Sequence, residues 1–273
     1  MEKNKQKKLG TCSICGTEGE LSYEHVPPKK AFNNRTVLYD TILNLIQRED
    51  DPNALDKFEK KGRQKGFGYY TLCEKCNCNT GSWYGTAYSK EWVTQGMYLG
   101  QCSKIAPSLC YTFHIFPLRV IKQIVCMFFC VNGTWLSDNY PDLKRFVLNK
   151  WDRYIMENIK IYVYFNLSYR GRQSGIIAKC AIGGQSKGPS LFSEIAFPPF
   201  GYVMTFKSRP PNKNYTDITY FSRYGYDEWK HIPLKMPILD VYAPFPGDHR
   251  TREQLMGNKN KNLRYIKKRN AKK

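Results

Sequence analysis

The sequence predicts an α+β protein in two parts: a cysteine-rich module built around a metal ion, and a larger α+β domain with an antiparallel sheet. Three observations lead to this prediction. Two Cys-x-x-Cys pairs lie in the first third of the chain, helical apolar spacing occurs in its middle, and β-branched and aromatic runs fill its second half. We place the module at 1–100, the second domain at 101–256 and a flexible basic tail at 257–273.

The composition indicates a folded chain that attracts polyanions. Of its 273 residues, 41% are hydrophobic and 15% aromatic, which is ample material for a core. The formal net charge of +20 makes nucleic acid the expected partner. The longest apolar run, 120–131, contains a lysine and is shorter than the ~20 residues that a membrane span needs. No apolar segment follows the basic N-terminus, so we expect a cytoplasmic protein without contact to a membrane.

Helical spacing of apolar residues recurs along the first 150 positions. The stretches concerned are 36–62, 82–99, 118–131 and 140–150. In the second, Tyr84, Tyr88 and Trp92 share one face, and core packing explains them better than base stacking does. The third ends at Asn132-Gly133, a typical helix stop.

Strand-like runs follow, separated by glycine and proline, and they predict an antiparallel sheet. These runs are 159–169, 175–183, 194–208, 217–225 and 238–245.

The two cysteine pairs predict one tetrahedral zinc site. Cys12 and Cys15 form the first pair, and Cys73 and Cys76 the second, with Cys78 close enough to replace Cys76. Four thiolates can bind one zinc ion at about 2.3 Å each. Free thiols are the alternative, but four polar-context thiols in a reducing compartment favour zinc. Cysteines in apolar surroundings are interpreted as small buried side chains: Cys110, Cys126, Cys130 and Cys180.

An acid–histidine pair, Glu24-His25, follows a short strand-like run at 20–23. Adjacent residues of a strand point to opposite faces, so one side chain can hold a metal ion while the other addresses water only if the strand bends there. Asn77 directly follows the last zinc cysteine, where a helix can begin. Zinc at the second pair would therefore hold Asn77 against this strand.

These pieces, in this order, resemble a known family. Cys-x-x-Cys, then an acid–histidine pair followed by a hydrophobic residue and proline ("EHVPP"), then Cys-x-x-Cys-Asn-x-x-x-Gly ("CEKCNCNTG"), is similar to the HNH endonucleases with a zinc-stabilised ββα-metal core. The resemblance covers about residues 10–95. The ordered combination is fairly specific, whereas each piece alone is not.

The resemblance implies a metal-dependent endonuclease that hydrolyses phosphodiester bonds of DNA, with RNA as the alternative substrate. His25 would be the general base, and Glu24 and Asn77 would hold one catalytic Mg²⁺ or Mn²⁺ ion. The four-cysteine zinc would be structural, since a closed site leaves no position for water. Family habit implies a restriction or antiphage defence nuclease.

The chain departs from the family pattern in one place that bears on the base. The stretch "KGFGYYTLC" before the second pair has no asparagine, where the family usually has one. The orientation of His25 would then depend on a backbone carbonyl or on Asn33, Asn34 or Asn79. Asn77 also stands where many members have histidine. A non-cleaving member of the family is therefore an alternative.

Two rival functions share the same features. A zinc-dependent nucleic-acid-binding protein needs the charge and the cysteines but no catalytic residues. An assembly subunit would use 101–256 to bind a protein partner or a second copy. Among the other histidines, His114 and His231 are interpreted as structural, and His249 in "GDHRTRE" forms a second acid–histidine pair without cysteines around it.

Overall fold

The computed structural model of the chain describes most of the sequence, and the architecture is α+β with antiparallel sheets. The described residues are 7–48, 51, 53–61, 65–102, 106–179 and 188–257. The predicted basic tail beyond residue 257 and Cys180 lie outside them. No helix within these ranges is both long enough and apolar enough to cross a bilayer.

The strands of this part of the chain are, in order, β1 (Leu9–Thr11), β2 (Glu18–His25), β3 (Leu38–Tyr39), β4 (Lys60–Lys61), β5 (Gly68–Cys73), β6 (Ser108–Ile115), β7 (Ile159–Phe165), β8 (Arg172–Lys179), β9 (Ser190–Phe197), β10 (Phe200–Phe206), β11 (Thr216–Asp217) and β12 (Lys230–Pro237). Antiparallel pairing arranges them as β1-β2-β5, β11-β7-β10-β9-β8, β12-β6 and β3-β4.

The helices are α1 (Ile42–Gln47), α2 (Glu74–Thr80), α3 (Thr94–Cys102), α4 (Pro117–Asn132), α5 (Thr134–Asn139) and α6 (Pro141–Leu148). The π-helical turns Gly81–Gly85 and Ala87–Val93 connect α2 to α3, so the helix predicted at 82–99 is present. The helix predicted within 36–62 is limited to α1, because β3 and β4 pair on either side of it.

The β2–β5 pair is distorted at its centre. Its register shifts between Ser22 and Tyr23, so Thr71 of β5 is an extra residue between two paired positions. A bulge of this kind bends the strand and increases its twist. At the end of the pair His25 lies opposite Gly68, where a Cβ atom would come within 2.0 Å of the Glu24 carbonyl oxygen. Glycine at 68 therefore permits this close approach of the two strands.

Helix α4 lies at the centre of the core. It is apolar nearly all round, and its residues from Val120 to Cys130 are buried. The ammonium of Lys122 is satisfied by the carbonyl oxygens of Phe146 and, at 2.9 Å, Asn149. The helix ends before Gly133, which has φ 64°.

One buried cluster runs from the N-terminal sheet through α4 to the five-stranded sheet, and it includes Leu72 and Met204. The aromatic stripe predicted as core is buried there as well. The indole of Trp92 donates to the Tyr202 hydroxyl at 2.8 Å, and Tyr88 bonds to the same oxygen at 3.1 Å. Packing, and not base stacking, is therefore the role of the stripe.

Two of the predicted strands are wrong. Residues 217–225 hold only the end of β11 and a 3-10 turn at Thr219–Arg223, because the Asp217 carboxylate accepts the Thr219 amide at 2.7 Å. In 238–245 the Asp240 carboxylate likewise accepts the Tyr242 amide at 2.6 Å and turns the chain. Side-chain acceptors thus compete with the ladder in both runs.

Candidate functional site

The four predicted zinc ligands come together at one point. The sulfur atoms of Cys12, Cys15, Cys73 and Cys76 all lie within 4.8 Å of one another. Cys12 and Cys76 are buried, and the other two are half-buried. Cys78 is exposed and lies outside the cluster, so Cys76 is the member from that helix.

The first pair lies on a tight turn between β1 and β2. The Gly16 amide donates to the Cys12 carbonyl at 2.9 Å, and the Cys12 amide donates to the Thr17 carbonyl at 2.9 Å. Gly16 has φ 80°, a conformation that favours glycine. Lys144 of α6 donates to the Cys15 carbonyl at 2.8 Å, which ties this turn to the rest of the fold.

The second pair lies where β5 becomes α2. Cys73 is the N-cap residue of α2, with extended backbone angles, and Cys76 lies in the first turn of the helix. Amide groups at a helix N-terminus stabilise negative charge, as thiolate ligands require. The hydrogen bond from the Cys76 thiol lowers the pKa of Cys12, and the same bond, together with burial, raises the pKa of Cys76.

The spacing of the sulfur atoms fits a tetrahedral ion. Ligands at about 2.3 Å from a tetrahedral zinc lie about 3.8 Å apart. The Cys15 and Cys73 sulfur atoms are 3.8 Å apart. The eight cysteines whose side chains the structure describes form no disulfide with one another. The cluster is therefore a candidate metal site with four sulfur ligands.

The cysteine cluster lies at the start of α2 and so positions Asn77 against β2. Ser22 and Glu24 share one face of that strand because they are two residues apart. The Asn77 side-chain nitrogen donates to the Ser22 hydroxyl at 2.9 Å, and the Asn77 side chain also hydrogen-bonds Glu24. With its amide nitrogen held in this way, the Asn77 side-chain oxygen is the atom that can bind a cation.

Glu24 is a carboxyl group with few partners. Burial raises the pKa of Glu24 to about 7, and the hydrogen bond from Asn77 only partly offsets this effect. The charge of Glu24 also acts on the buried thiols of Cys126 and Cys130 in α4, which places the carboxylate on the core side of β2. A cation beside Glu24 would stabilise its charged form.

His25 occupies the other face of β2, together with Tyr23, whose ring meets the imidazole edge-on at 5.0 Å. The Nε2 atom of His25 lies 3.3 Å from the Lys65 carbonyl oxygen. Since a carbonyl only accepts, Nε2 carries the proton and Nδ1 is the basic nitrogen. Burial lowers the pKa of His25, the Lys65 carbonyl raises it and nearby Lys29 lowers it, with a net decrease.

The loop before β5 supports His25 through its backbone. A Cβ atom at Gly66, which has φ 126°, would lie 2.2 Å from the Asn33 carbonyl oxygen and 2.7 Å from Cδ2 of His25. The side chain of Asn33 braces this loop through 2.7 Å hydrogen bonds to both backbone groups of Phe67. The sequence left open which group orients His25. In the structure this group is a backbone carbonyl, that of Lys65.

Sequence reasoning did not identify Ser22, Lys65 or Gly66 as parts of this site. Ser22 and the Lys65 carbonyl reach the site because β2 pairs with β5. No short sequence motif predicts this pairing. Gly66 lies in the stretch "KGFGYYTLC", and the missing asparagine of this stretch was the one available signal.

The remaining histidines have other partners. The rings of His114 and His231 are 4.2 Å apart across the β6–β12 pair. His249 is held between the Tyr215 hydroxyl at 2.6 Å and the Asp240 carbonyl at 2.7 Å. Both imidazole nitrogens of His249 are therefore engaged.

No protein-family model, no curated protein and no solved structure matches this chain.

Proposed function

We propose that the protein is a metal-dependent endonuclease of the HNH type, with a zinc-stabilised ββα-metal core, which hydrolyses phosphodiester bonds of DNA. The observation that carries the proposal is the position of Asn77. The cysteine cluster at the start of α2 holds this side chain against Ser22 and Glu24 of β2, as a strand–helix metal site requires. We propose that its biological role is that of a restriction or antiphage defence nuclease.

The four cysteines would hold Zn²⁺ as a structural ion. Their sulfur spacing suits a closed thiolate site. Such a site has no open position for substrate, so its contribution is to folding and to the placement of α2 against β2.

Glu24 and the Asn77 side-chain oxygen would hold the catalytic Mg²⁺ or Mn²⁺, since both offer the hard oxygen ligands that these ions prefer. That ion supplies charge stabilisation for the phosphate oxygens and the leaving oxygen. Glu24 binds it in the ionised form, which its pKa of about 7 makes available at and above neutral pH.

His25 would act as general base through Nδ1. The Lys65 carbonyl holds the proton on Nε2, so Nδ1 can accept a proton from the attacking water. The lowered pKa of His25 keeps the imidazole neutral at pH 7. The proton then resides on Nδ1 while the phosphodiester bond breaks at its leaving oxygen.

The surroundings of His25 are basic, in keeping with a phosphate backbone as ligand. Lys29, Lys30, Arg35 and Lys65 are exposed, and none forms an ion pair with another residue in the described ranges. Unpaired cations favour phosphate contacts because binding releases counterions.

A supercoiled plasmid assay tests the proposal. The wild-type protein, loaded with zinc, should nick or cut the plasmid in Mg²⁺ or Mn²⁺, and His25→Ala and Asn77→Ala should abolish cleavage. Asn79→Ala is the matched control, because Asn79 lies two residues further along the same helix and its carbonyl only accepts the Ser82 hydroxyl. An intact plasmid with the wild type would refute cleavage by this chain.

One observation favours the alternative of a zinc-dependent nucleic-acid-binding protein without catalysis. His25 and Asn77 lie on opposite faces of β2, and no hydrogen bond joins them within the described residues. His25 and Asn77 can act on one phosphate only if that phosphate lies at the end of β2, which is His25. DNA binding that persists in His25→Ala, without cleavage by the wild type, would support this alternative.

A further inference from the structure

Phe32 has an unusual backbone conformation for a large aromatic residue. Its φ is 63°, in the left-handed region that bulky side chains avoid, and 45% of its surface is exposed. Nearly half of the residue is exposed, so burial gives only a partial reason to retain a phenylalanine there. Strained positions of this kind persist where surrounding contacts enforce them, and they concentrate at functional sites.

The contacts that enforce the conformation lie on both sides of Phe32. The Ala31 amide donates to the Pro28 carbonyl at 2.8 Å. The side chain of Asn33, which is buried, donates to the carbonyl oxygens of Pro27 and Phe67, each at 2.7 Å. Residues 28–35, which we name the basic turn, are therefore held rigidly around an exposed ring.

The basic turn lies beside the candidate general base. The Asn33 carbonyl oxygen and the Cδ2 atom of His25 are both within 3 Å of the point where a Gly66 Cβ would stand. Phe32 directly precedes Asn33, so its backbone lies close to His25, and its side chain is partly exposed. Lys29 of the same turn is near enough to lower the pKa of His25.

The charges of the turn identify the kind of partner. Lys29, Lys30 and Arg35 are exposed and form no ion pair within the described part of the chain, so the turn that carries the ring also carries three free cations. An apolar ring among cations has the chemistry of a wedge that inserts between base steps while the cations bind the flanking phosphates.

We propose that Phe32 inserts into double-stranded DNA beside the site of cleavage, and that the basic turn is the duplex-binding surface of the protein. The position of the cleaved bond beside Phe32 rests on the proposed nuclease function, whereas the binding of duplex DNA does not. The ring would stack on a base step that it partly opens, and the rigid turn would supply this geometry before binding. Pre-organisation of this kind limits the entropy lost on association.

The wedge predicts a preference for DNA in which a base step is already open. Insertion costs unstacking energy, and this cost is smallest where a base is missing. In magnesium-free buffer, fluorescence anisotropy should show a duplex with one abasic position bound about tenfold more tightly than the intact duplex. Phe32→Gly should reduce this ratio to about one, and Phe32→Trp should retain it.

The stability of Phe32→Gly separates a binding role from a packing role. Glycine adopts φ 63° without strain, so this variant should melt at the wild-type temperature or above it. A lower melting temperature with an unchanged abasic preference would assign the ring to packing and overturn the proposal. Tighter binding of the single strand than of either duplex would overturn it as well.

Trp151 is the matched control, since it is also an exposed aromatic ring near a cation. It is 57% exposed, and the Lys150 ammonium lies 4.9 Å from its ring centre, in a shallow cleft with Arg153 and Tyr226. Trp151→Ala should leave the abasic preference unchanged, and loss of the preference in this variant alone would overturn the proposal. Duplex binding with the expected ratio but without cleavage would refute only the nuclease function, whereas no DNA binding by the wild type would refute both.

Discussion

Two acid–histidine pairs of this chain, Glu24-His25 and Asp248-His249, have opposite environments. In both regions a histidine lies near a glutamate: Glu24 is half-buried, and Glu194, near His249, is fully buried. Around His249 every donor and acceptor is engaged, whereas the carboxyl and imidazole of the first pair each retain an atom that can take a ligand. The sequence alone does not distinguish the pairs except by the cysteines around the first.

The region around His249 is a closed hydrogen-bond network. Glu194 is fully buried and accepts hydrogen bonds from Tyr164 at 2.6 Å, from the Gly247 amide at 2.8 Å and from Arg172. Burial favours the neutral acid, but the charge of Arg172 outweighs it and keeps the pKa of Glu194 below its usual value. A fully satisfied network of this kind stabilises one conformation and has no group left for chemistry.

Glu24 lies at the other extreme. It has one hydrogen-bonding side chain, Asn77, and its pKa is raised to about 7. A carboxyl group held without enough partners destabilises the fold when it is charged, and a bound cation would relieve this cost. The comparison teaches that a carboxyl group and an imidazole with an atom open to a ligand, and not the presence of an acid–histidine pair, distinguish the candidate site.

The largest expected effect comes from breaking the cysteine cluster, which surrounds the first pair and is absent around His249 among the described residues. Cys73→Ser should reduce zinc from one ion per chain to none and lower the free energy of unfolding by more than about 4 kcal/mol. Elemental analysis and thermal melting followed by circular dichroism measure these changes. Cys78→Ser is the control, because Cys78 is exposed and outside the cluster. Equal zinc content in both variants would contradict the site.

The next effect compares the two histidines directly. His25→Ala should slow plasmid cleavage by about 100- to 10,000-fold, the usual contribution of a general base, and leave the melting temperature nearly unchanged. His249→Ala should leave the cleavage rate within about twofold while lowering stability by about 1–3 kcal/mol, because Tyr215 and the Asp240 carbonyl lose their partner. The reverse pattern would move the candidate site to His249.

The two glutamates should respond to the same substitution with opposite signs. Glu194→Gln leaves Arg172 without its charge partner and should cost about 3–5 kcal/mol. Glu24→Gln in zinc-loaded, magnesium-free protein at pH 8 should stabilise by about 2–3 kcal/mol, because the folded state raises the pKa of Glu24 from 4.5 to about 7. Below pH 4.5 Glu24 is neutral in the folded and the unfolded state, so it does not lower the free energy of unfolding. This free energy falls as the pH rises to 7, because Glu24 ionises more readily in the unfolded state. Urea denaturation at pH 5 and pH 8 measures both changes, and destabilisation by Glu24→Gln at pH 8 would contradict the assignment.

The smallest effect concerns pH and activity. In the proposed function Mg²⁺ would bind the ionised form of Glu24, so at sub-saturating Mg²⁺ the cleavage rate should rise about fivefold between pH 6 and pH 7 and level off near pH 8. The lowered pKa of His25 favours its neutral form in that range. Initial rates of plasmid nicking give the profile. A profile that is flat from pH 6 to pH 8 would show that Glu24 does not control metal binding.

The sequence by itself determined the features that depend on composition and short spacing. The members of the cysteine cluster follow from two Cys-x-x-Cys pairs, because each gap brings two sulfurs to one point within a turn. The all-round apolar character of α4 determined its burial, and Asn132-Gly133 determined its end. The aromatic stripe on the helix that follows α2 was assigned to the core for the same reason of spacing.

Only the tertiary structure decided which groups meet across distant segments. The Lys65 carbonyl reaches His25, and Ser22 and Glu24 reach Asn77, through strand register and a bulge that no local pattern encodes. The runs 217–225 and 238–245 have strand-like composition, yet aspartate side chains take backbone amides and turn the chain. A hydrogen bond depends on the position of both partners, and the position of the second partner is set by the packing of the whole chain.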